Sequence, residues 1–133
     1  MANILVVDDN SGLRRTVEIF LQKRGFKVQT ACNGQEAVDA VRILKPDIIL
    51  MDMNMPIMDG WSATRELKND IKTCELPIVA LTAYALPGDQ ARCIAAGCDG
   101  CLSKPIDFDI LATLIDELLT KRRFAECKRP TEV

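Results

Sequence analysis

Polar side chains suited to phosphate chemistry close four short, largely apolar runs of this chain. Asp8 and Asp9 follow Ile4 to Val7, Asp52 follows Ile48 to Met51, Thr82 follows Ile78 to Leu81, and Lys104 follows Gly100 to Ser103. Carboxylates, a hydroxyl and an ammonium can together hold a divalent cation and a phosphoryl group. An ionised carboxylate attacks phosphorus without a separate base, which makes Asp52 a candidate nucleophile. Three gathered carboxylates repel one another unless a cation intervenes. Asp9 and Asp52 are therefore candidate direct metal ligands, with Asp8 acting through water. Oxygen donors in a chain without histidine favour magnesium or manganese. Lys104 and Thr82 supply the cation and hydroxyl that neutralise and orient phosphoryl oxygens. Taken singly, each has a plainer reading: Asp8 and Asp9 as caps of the first helix, Thr82 as a β-branched strand terminus, Lys104 as a solvated surface cation. Those plainer readings leave the joint placement unexplained.

The side chains converge only if the runs are parallel strands whose carboxyl ends share one edge of a sheet. Strand-like segments are Ile4 to Val7, Lys27 to Ala31, Asp47 to Met51, Pro77 to Leu81 and Gly100 to Ser103. Between them, helical spacing places Leu13, Val17, Phe20 and Leu21 on one face of Ser11 to Arg24, and repeats at Ala37, Val38, Val41 and Leu44. Further helices are expected from Trp61 to Leu67, from Pro87 to Ala96, and from an Asp107 cap through Phe108, Leu111, Ile115 and Leu118. Gly25, Pro46 and Gly97 supply stops. Strand then helix, five times over, predicts an α/β fold of (βα)5 type: a doubly wound five-stranded parallel sheet of flavodoxin-like order 2-1-3-4-5. Its switch point, between the first and third strands, is where Asp8, Asp9 and Asp52 would meet.

A chain of 133 residues fits one core, read here as a domain over residues 1–120 and a polar C-terminal tail, frayed or disordered, over 121–133. The net charge is −2 with no histidine, which removes the usual general base. No run approaches the ~20 apolar residues of a membrane span, and the start Met-Ala-Asn lacks signal-peptide character. A cytoplasmic protein without membrane contact is expected. The six cysteines read as small buried hydrophobes. Cys93, Cys98 and Cys101, with Cys127 as a fourth, do have the spacing of plant-type iron-sulfur ligands, but such a site would straddle a helix, a turn and a buried strand. Met51, Met53, Met55 and Met58 read as core and loop packing, and Trp61 as partly buried. Lys121, Arg122, Arg123, Lys128 and Arg129 complement a helix C-terminus and are not expected to bind nucleic acid.

The segments Val7-Asp8-Asp9-Asn10, Met51-Asp52-Met53-Asn54-Met55-Pro56-Ile57-Met58-Asp59-Gly60, Leu81-Thr82-Ala83 and Lys104-Pro105 together carry a resemblance. From Ile4 to about Leu119 the chain is similar to response regulator receiver domains of two-component signalling, of the single-domain, chemotaxis-regulator-like kind. The resemblance implies that Asp52 accepts a phosphoryl group from a phosphohistidine on a sensor histidine kinase or histidine phosphotransfer protein. It implies magnesium held by Asp9, Asp52 and the backbone carbonyl of Asn54, with Asp8 assisting. Lys104 would pair with the phosphate, while the Thr82 hydroxyl and Ala83 N–H donate to it. A cis bond before Pro105 would turn Lys104 toward the site. The donor would dock near Asn10, Ser11, Leu13 and Arg14.

Two positions modulate that expectation. Many receivers carry an aromatic residue three positions before the lysine, and here Cys101 stands there. Tyr84, two positions beyond Thr82, would flank the water path to the phosphoryl group, with Asn54 opposite. The reading is a signalling phosphoprotein, promoting its own phosphorylation and slow dephosphorylation, whose output is protein–protein binding through the last two helices and the strand between them. A phosphorelay intermediate or phosphate sink is the alternative within signalling. A small magnesium-dependent phosphohydrolase and a flavodoxin-like electron carrier are alternatives of other classes. A monomer or weak dimer is expected, with its downstream target open.

Overall fold

The computed structural model describes residues 2–53, 55, 58–82 and 87–128, with side chains for all of these except 87–90 and 122–128. Five strands, β1 (Asn3–Val7), β2 (Lys27–Ala31), β3 (Ile48–Asp52), β4 (Ile78–Thr82) and β5 (Gly100–Ser103), alternate with five helices. The helices are α1 (Ser11–Lys23), α2 (Gly34–Leu44), α3 (Gly60–Lys68), α4 (Pro87–Ala96) and α5 (Phe108–Lys128). All four strand pairs are parallel, in the order β2-β1-β3-β4-β5 expected from the alternation.

Successive side chains of a strand point to opposite faces, and this period divides the core in two. Ile4, Val6, Ile48, Leu50, Val79 and Leu81 pack against Val17 and Leu21 of α1 and Leu111, Ile115 and Leu118 of α5. Their neighbours Leu5, Val7, Ile49, Met51, Ile78 and Ala80 pack against α2, α3 and α4 through Val38, Val41, Trp61, Leu67 and Cys93. Burial of each larger aliphatic side chain contributes roughly 1.5–3 kcal/mol of transfer free energy. Strands buried on both faces thus anchor their ends firmly, and those ends carry the polar residues.

Local chemistry sets the helix starts. Asn10 caps α1 by accepting from the Leu13 amide at 3.1 Å, so neither Asp8 nor Asp9 is spent as a cap. Asn33 caps α2 by accepting from the Glu36 amide at 2.9 Å, and the Glu36 carboxylate in turn accepts from the Cys32 amide, one residue before the cap, at 3.3 Å. Asp59 caps α3 through the Ser62 amide at 2.7 Å, and Asp107 accepts from Ile110 at the start of α5. Gly25 and Gly97 stop α1 and α4 in the left-handed region, at φ of 91° and 99°.

Several details differ from the sequence reading. Asp52 and Thr82 are the last residues of β3 and β4 instead of following them, because both stay in the ladder, opposite Leu81 and Ser103. The α5 backbone is helical through Lys128, past the expected start of the tail at Lys121, across good helix formers. Cys93 is buried and Cys74, Cys98 and Cys101 are half-buried, but Cys32 is exposed, since it lies in the turn before α2. Trp61 is more buried than expected, under the Arg92 guanidinium at 4.1 Å from its ring centroid.

Candidate functional site

The carboxyl edge of the sheet gathers Asp8, Asp9, Asp52 and Lys104. Asp8 continues the line of β1, its amide donating to the Ala31 carbonyl at 3.2 Å. Its side chain is 1% exposed, and Oδ1 accepts from the Asn10 amide at 2.9 Å. Oδ2 accepts from Lys104 Nζ at 3.1 Å. The same ammonium lies 3.5 Å from Asp52 Oδ2. Asp9 is exposed, and carboxylate oxygens of Asp8, Asp9 and Asp52 all lie within 4.8 Å of one another.

Asp52 is held from both sides. Its residue is 3% exposed, and the Met53 amide beyond it bonds to the Leu81 carbonyl at 3.1 Å. The chain then returns so that the Gly60 amide donates to the Met53 carbonyl at 3.1 Å. A Cβ at Gly60 would collide with the Asp52 carbonyl oxygen and lie 2.7 Å from the Met53 Cα, so only glycine permits this approach. Thr82, 3% exposed, ends the neighbouring strand. Its carbonyl accepts the Lys104 amide at 2.7 Å, tying the lysine backbone to β4. The bond between Lys104 and Pro105 is cis.

Three carboxylates against one ammonium leave two negative charges in a cluster whose deepest members are nearly inaccessible to water. Buried like charges demand compensation. One divalent cation on hard oxygen donors has the matching charge and chemistry.

Of the residues singled out from sequence, Asp8, Asp9, Asp52 and Lys104 come together, Thr82 ends the adjoining strand, and Pro105 follows the lysine. Asn54, Ala83 and Tyr84 lie outside the described residues. Cys101 stands apart from the carboxylates, half-buried on β5 and packed toward the α2–α4 side of the core. The iron-sulfur spacing gathers no metal cage, since among the described residues only the three aspartates bring three ligand atoms within 4.8 Å of one another. Sequence reasoning gave Arg14 a docking role but missed what its side chain does. Nη1 donates to the Asp8 carbonyl at 2.8 Å, pinning the turn that presents the acidic pair. An arginine six residues after Asp8, on the first turns of α1, was the available signal.

Comparison with known proteins places this geometry in context. Residues 4–116 match the response regulator receiver domain family. The chain is 38% identical over 122 residues to the response regulator Rre1 of Synechocystis, covering 91% of this chain and 53% of that protein. It is 35% identical to the polar-differentiation response regulator DivK of Brucella anthropi, covering 78% of this chain and 85% of the other. The receiver domain of the sensor histidine kinase PA1611 from Pseudomonas aeruginosa superposes with a TM-score of 0.83 at 35% identity, covering 90% of this chain and 98% of the other, and its crystal structure has a magnesium ion coordinated in the active-site cleft. The chain thus spans about half the length of Rre1. Among the described residues no helix is long and apolar enough to cross a membrane.

Proposed function

The chain belongs to the response regulator receiver domain family of two-component signalling, and on that premise we propose that Asp52 accepts a phosphoryl group from a phosphohistidine. The observation that carries the reading is the position of the Lys104 ammonium, 3.1 Å from Asp8 and 3.5 Å from Asp52, at the rim of a three-carboxylate cluster. A carboxylate oxygen of Asp52 attacks phosphorus as the bond from phosphorus to the donor imidazole breaks. Lys104 stays beside the new phosphoryl group and offsets its charge. The Thr82 hydroxyl, on the adjoining strand end, donates to a phosphoryl oxygen. Arg14 and the Asn10 amide hold Asp8 in place throughout.

Magnesium is the fitting metal, held by Asp9 and Asp52 with Asp8 assisting, and bound there it would withdraw charge from the phosphoryl oxygens. The Asn54 carbonyl, the Ala83 amide and Tyr84 complete the proposed site as third protein ligand, phosphoryl donor and screen against water. The partner is a histidine kinase or histidine phosphotransfer protein in the cytoplasm. The output is a change in protein binding on the face made by α4, β5 and α5.

Incubation of the protein with magnesium and phosphoramidate, a small donor with a phosphorus–nitrogen bond, tests the assignment by intact mass. One added phosphoryl group is expected, absent in Asp52→Asn and without a divalent cation. Equal labelling of Asp52→Asn would overturn it.

A further inference from the structure

The phosphoryl site makes no use of a second cluster, built from thiols. Cys93 lies on the inner face of α4 at 1% exposure, and Cys101 is half-buried on β5. Their sulfurs are 3.1 Å apart. A disulfide needs about 2.05 Å, so roughly 1 Å of approach joins them. The elements that carry them already pack together, α4 on β5, and no large backbone movement is called for. The two thiols differ in access. Cys101 meets solvent, whereas Cys93 meets only the protein, so the first suits attack on an outside oxidant and the second suits resolution. Cys98 stands close enough to Cys101 to feel its charge, yet burial pushes its thiol up to about 11. The 3.1 Å sulfur–sulfur contact singles out Cys93 as the partner of Cys101.

We propose that Cys93 and Cys101 form a redox modification site, a dithiol that a small hydroperoxide converts into an intrachain disulfide between α4 and β5. The Cys101 thiol gives up its proton, and the resulting sulfur anion attacks one oxygen of hydrogen peroxide, forming a sulfur–oxygen bond as the oxygen–oxygen bond breaks; the departing hydroxide takes up the released proton and leaves as water. The Cys93 sulfur then displaces hydroxide from the Cys101 sulfur, which leaves with the Cys93 proton as a second water. Two thiols lose two electrons and two protons, and one peroxide becomes two waters. Thiol–disulfide exchange with a small dithiol reverses the change. While it lasts, the link fixes the helix that follows β4 to the strand that leads to Lys104. The site holds whether or not Asp52 takes a phosphoryl group.

The test uses the full chain exposed to hydrogen peroxide, with remaining thiols then blocked by N-ethylmaleimide. Cleavage before Asp89, Asp99 and Asp107 places Cys93 and Cys98 on one segment and Cys101 on the next. The expected result is a linked pair of those segments, two hydrogens lighter than the sum of the two before the blocking group is counted, with the maleimide on Cys98. Cys98→Ser keeps the link, Cys101→Ser loses it, and dithiothreitol reverses it. The mapping of the unsubstituted chain and of Cys98→Ser decides the matter even if Cys101→Ser fails to fold. The proposal is overturned if, at a dose that consumes the exposed Cys32, both segments remain unlinked. A link through Cys98, or one only between chains, overturns it equally.

Discussion

The Lys104 ammonium meets Asp8 Oδ2 at 3.1 Å across 96 positions of chain. This contact joins the end of the last strand to the end of the first. With Asp52 at 3.5 Å from the same nitrogen, it also spans the strands between them. No single βα unit can form the cluster, so its charges are brought together only when the whole sheet is in register. The energy of that assembly is unfavourable among the carboxylates and favourable toward the lysine. Stability and site chemistry are therefore linked through Lys104.

Replacing Lys104 by methionine keeps the aliphatic stem and removes the cation. A fully buried pair broken in this way costs ~3–5 kcal/mol. Here the lysine side chain is 22% exposed, and water recovers part of the loss, so about 2 kcal/mol is expected. Urea unfolding in the presence of a chelator measures it. An unchanged midpoint would show that the ammonium does not compensate the carboxylates.

The opposite sign is expected of Asp52→Asn. It removes one of three mutually repelling carboxylates together with its longer, 3.5 Å contact to Lys104, and leaves the 3.1 Å pair of Lys104 with Asp8. The metal-free protein should gain about 1 kcal/mol, the order of one like-charge contact. Magnesium should stabilise the unsubstituted chain by ~2.7 kcal/mol at a hundredfold excess over its dissociation constant, and Asp9→Asn should lose most of that gain. Thermal melts with magnesium or chelator give both numbers. A variant melting below the parent without metal would contradict the repulsion.

Much of this arrangement was legible because the central strands are continuous apolar runs ending in polar residues. Ile48 to Met51 announces a strand buried on both faces, and Asp52 marks its polar end. Register was less legible. Asp52 and Thr82 remain paired in the ladder, a one-residue difference that propensity cannot see. The Asn33 cap of α2 also stood in the sequence as a recognisable residue type before the helix and is absent from the sequence reading. The Lys68 amine, which donates to the Cys74 and Leu76 carbonyls and to Asp99, could not have been found. Its partners lie up to 31 positions away and are set by tertiary packing alone. The same holds for Cys93 and Cys101, whose contact depends on which side of α4 faces β5.

Gly60→Ala should be the most damaging small substitution near the site. The added Cβ collides with the Asp52 carbonyl and the Met53 Cα, both backbone atoms that cannot swing aside. Overpacking of this kind costs ~1–3 kcal/mol, and relief requires β3 to shift at Asp52, the proposed phosphoacceptor. Stability and phosphorylation from phosphoramidate should fall together, with the circular dichroism of the sheet and helices preserved. Loss of stability at full phosphorylation would show that the end of β3 tolerates the displacement.

Cys98 supplies a test that depends on pH. Burial raises its thiol from 9.0 to about 11, with Cys101 and Asp99 pushing the same way and the nearby Thr64 hydroxyl and Lys68 ammonium offsetting part of the rise. In the unfolded chain the thiol loses its proton near its ordinary value. Between about pH 9 and pH 11 the unfolded state therefore binds fewer protons than the folded state, and stability falls as pH rises through that window. The contribution is fully present below pH 9. Cys98→Ala should flatten the decline, although it will start from a lower plateau because the site loses a packed sulfur. In native protein at pH 8 the raised value also leaves roughly a hundredfold less thiolate than an ordinary cysteine. Iodoacetamide should accordingly modify the exposed Cys32 long before Cys98. Equal rates at the two positions would mean that the packing around Cys98 opens to water far more often than its burial implies.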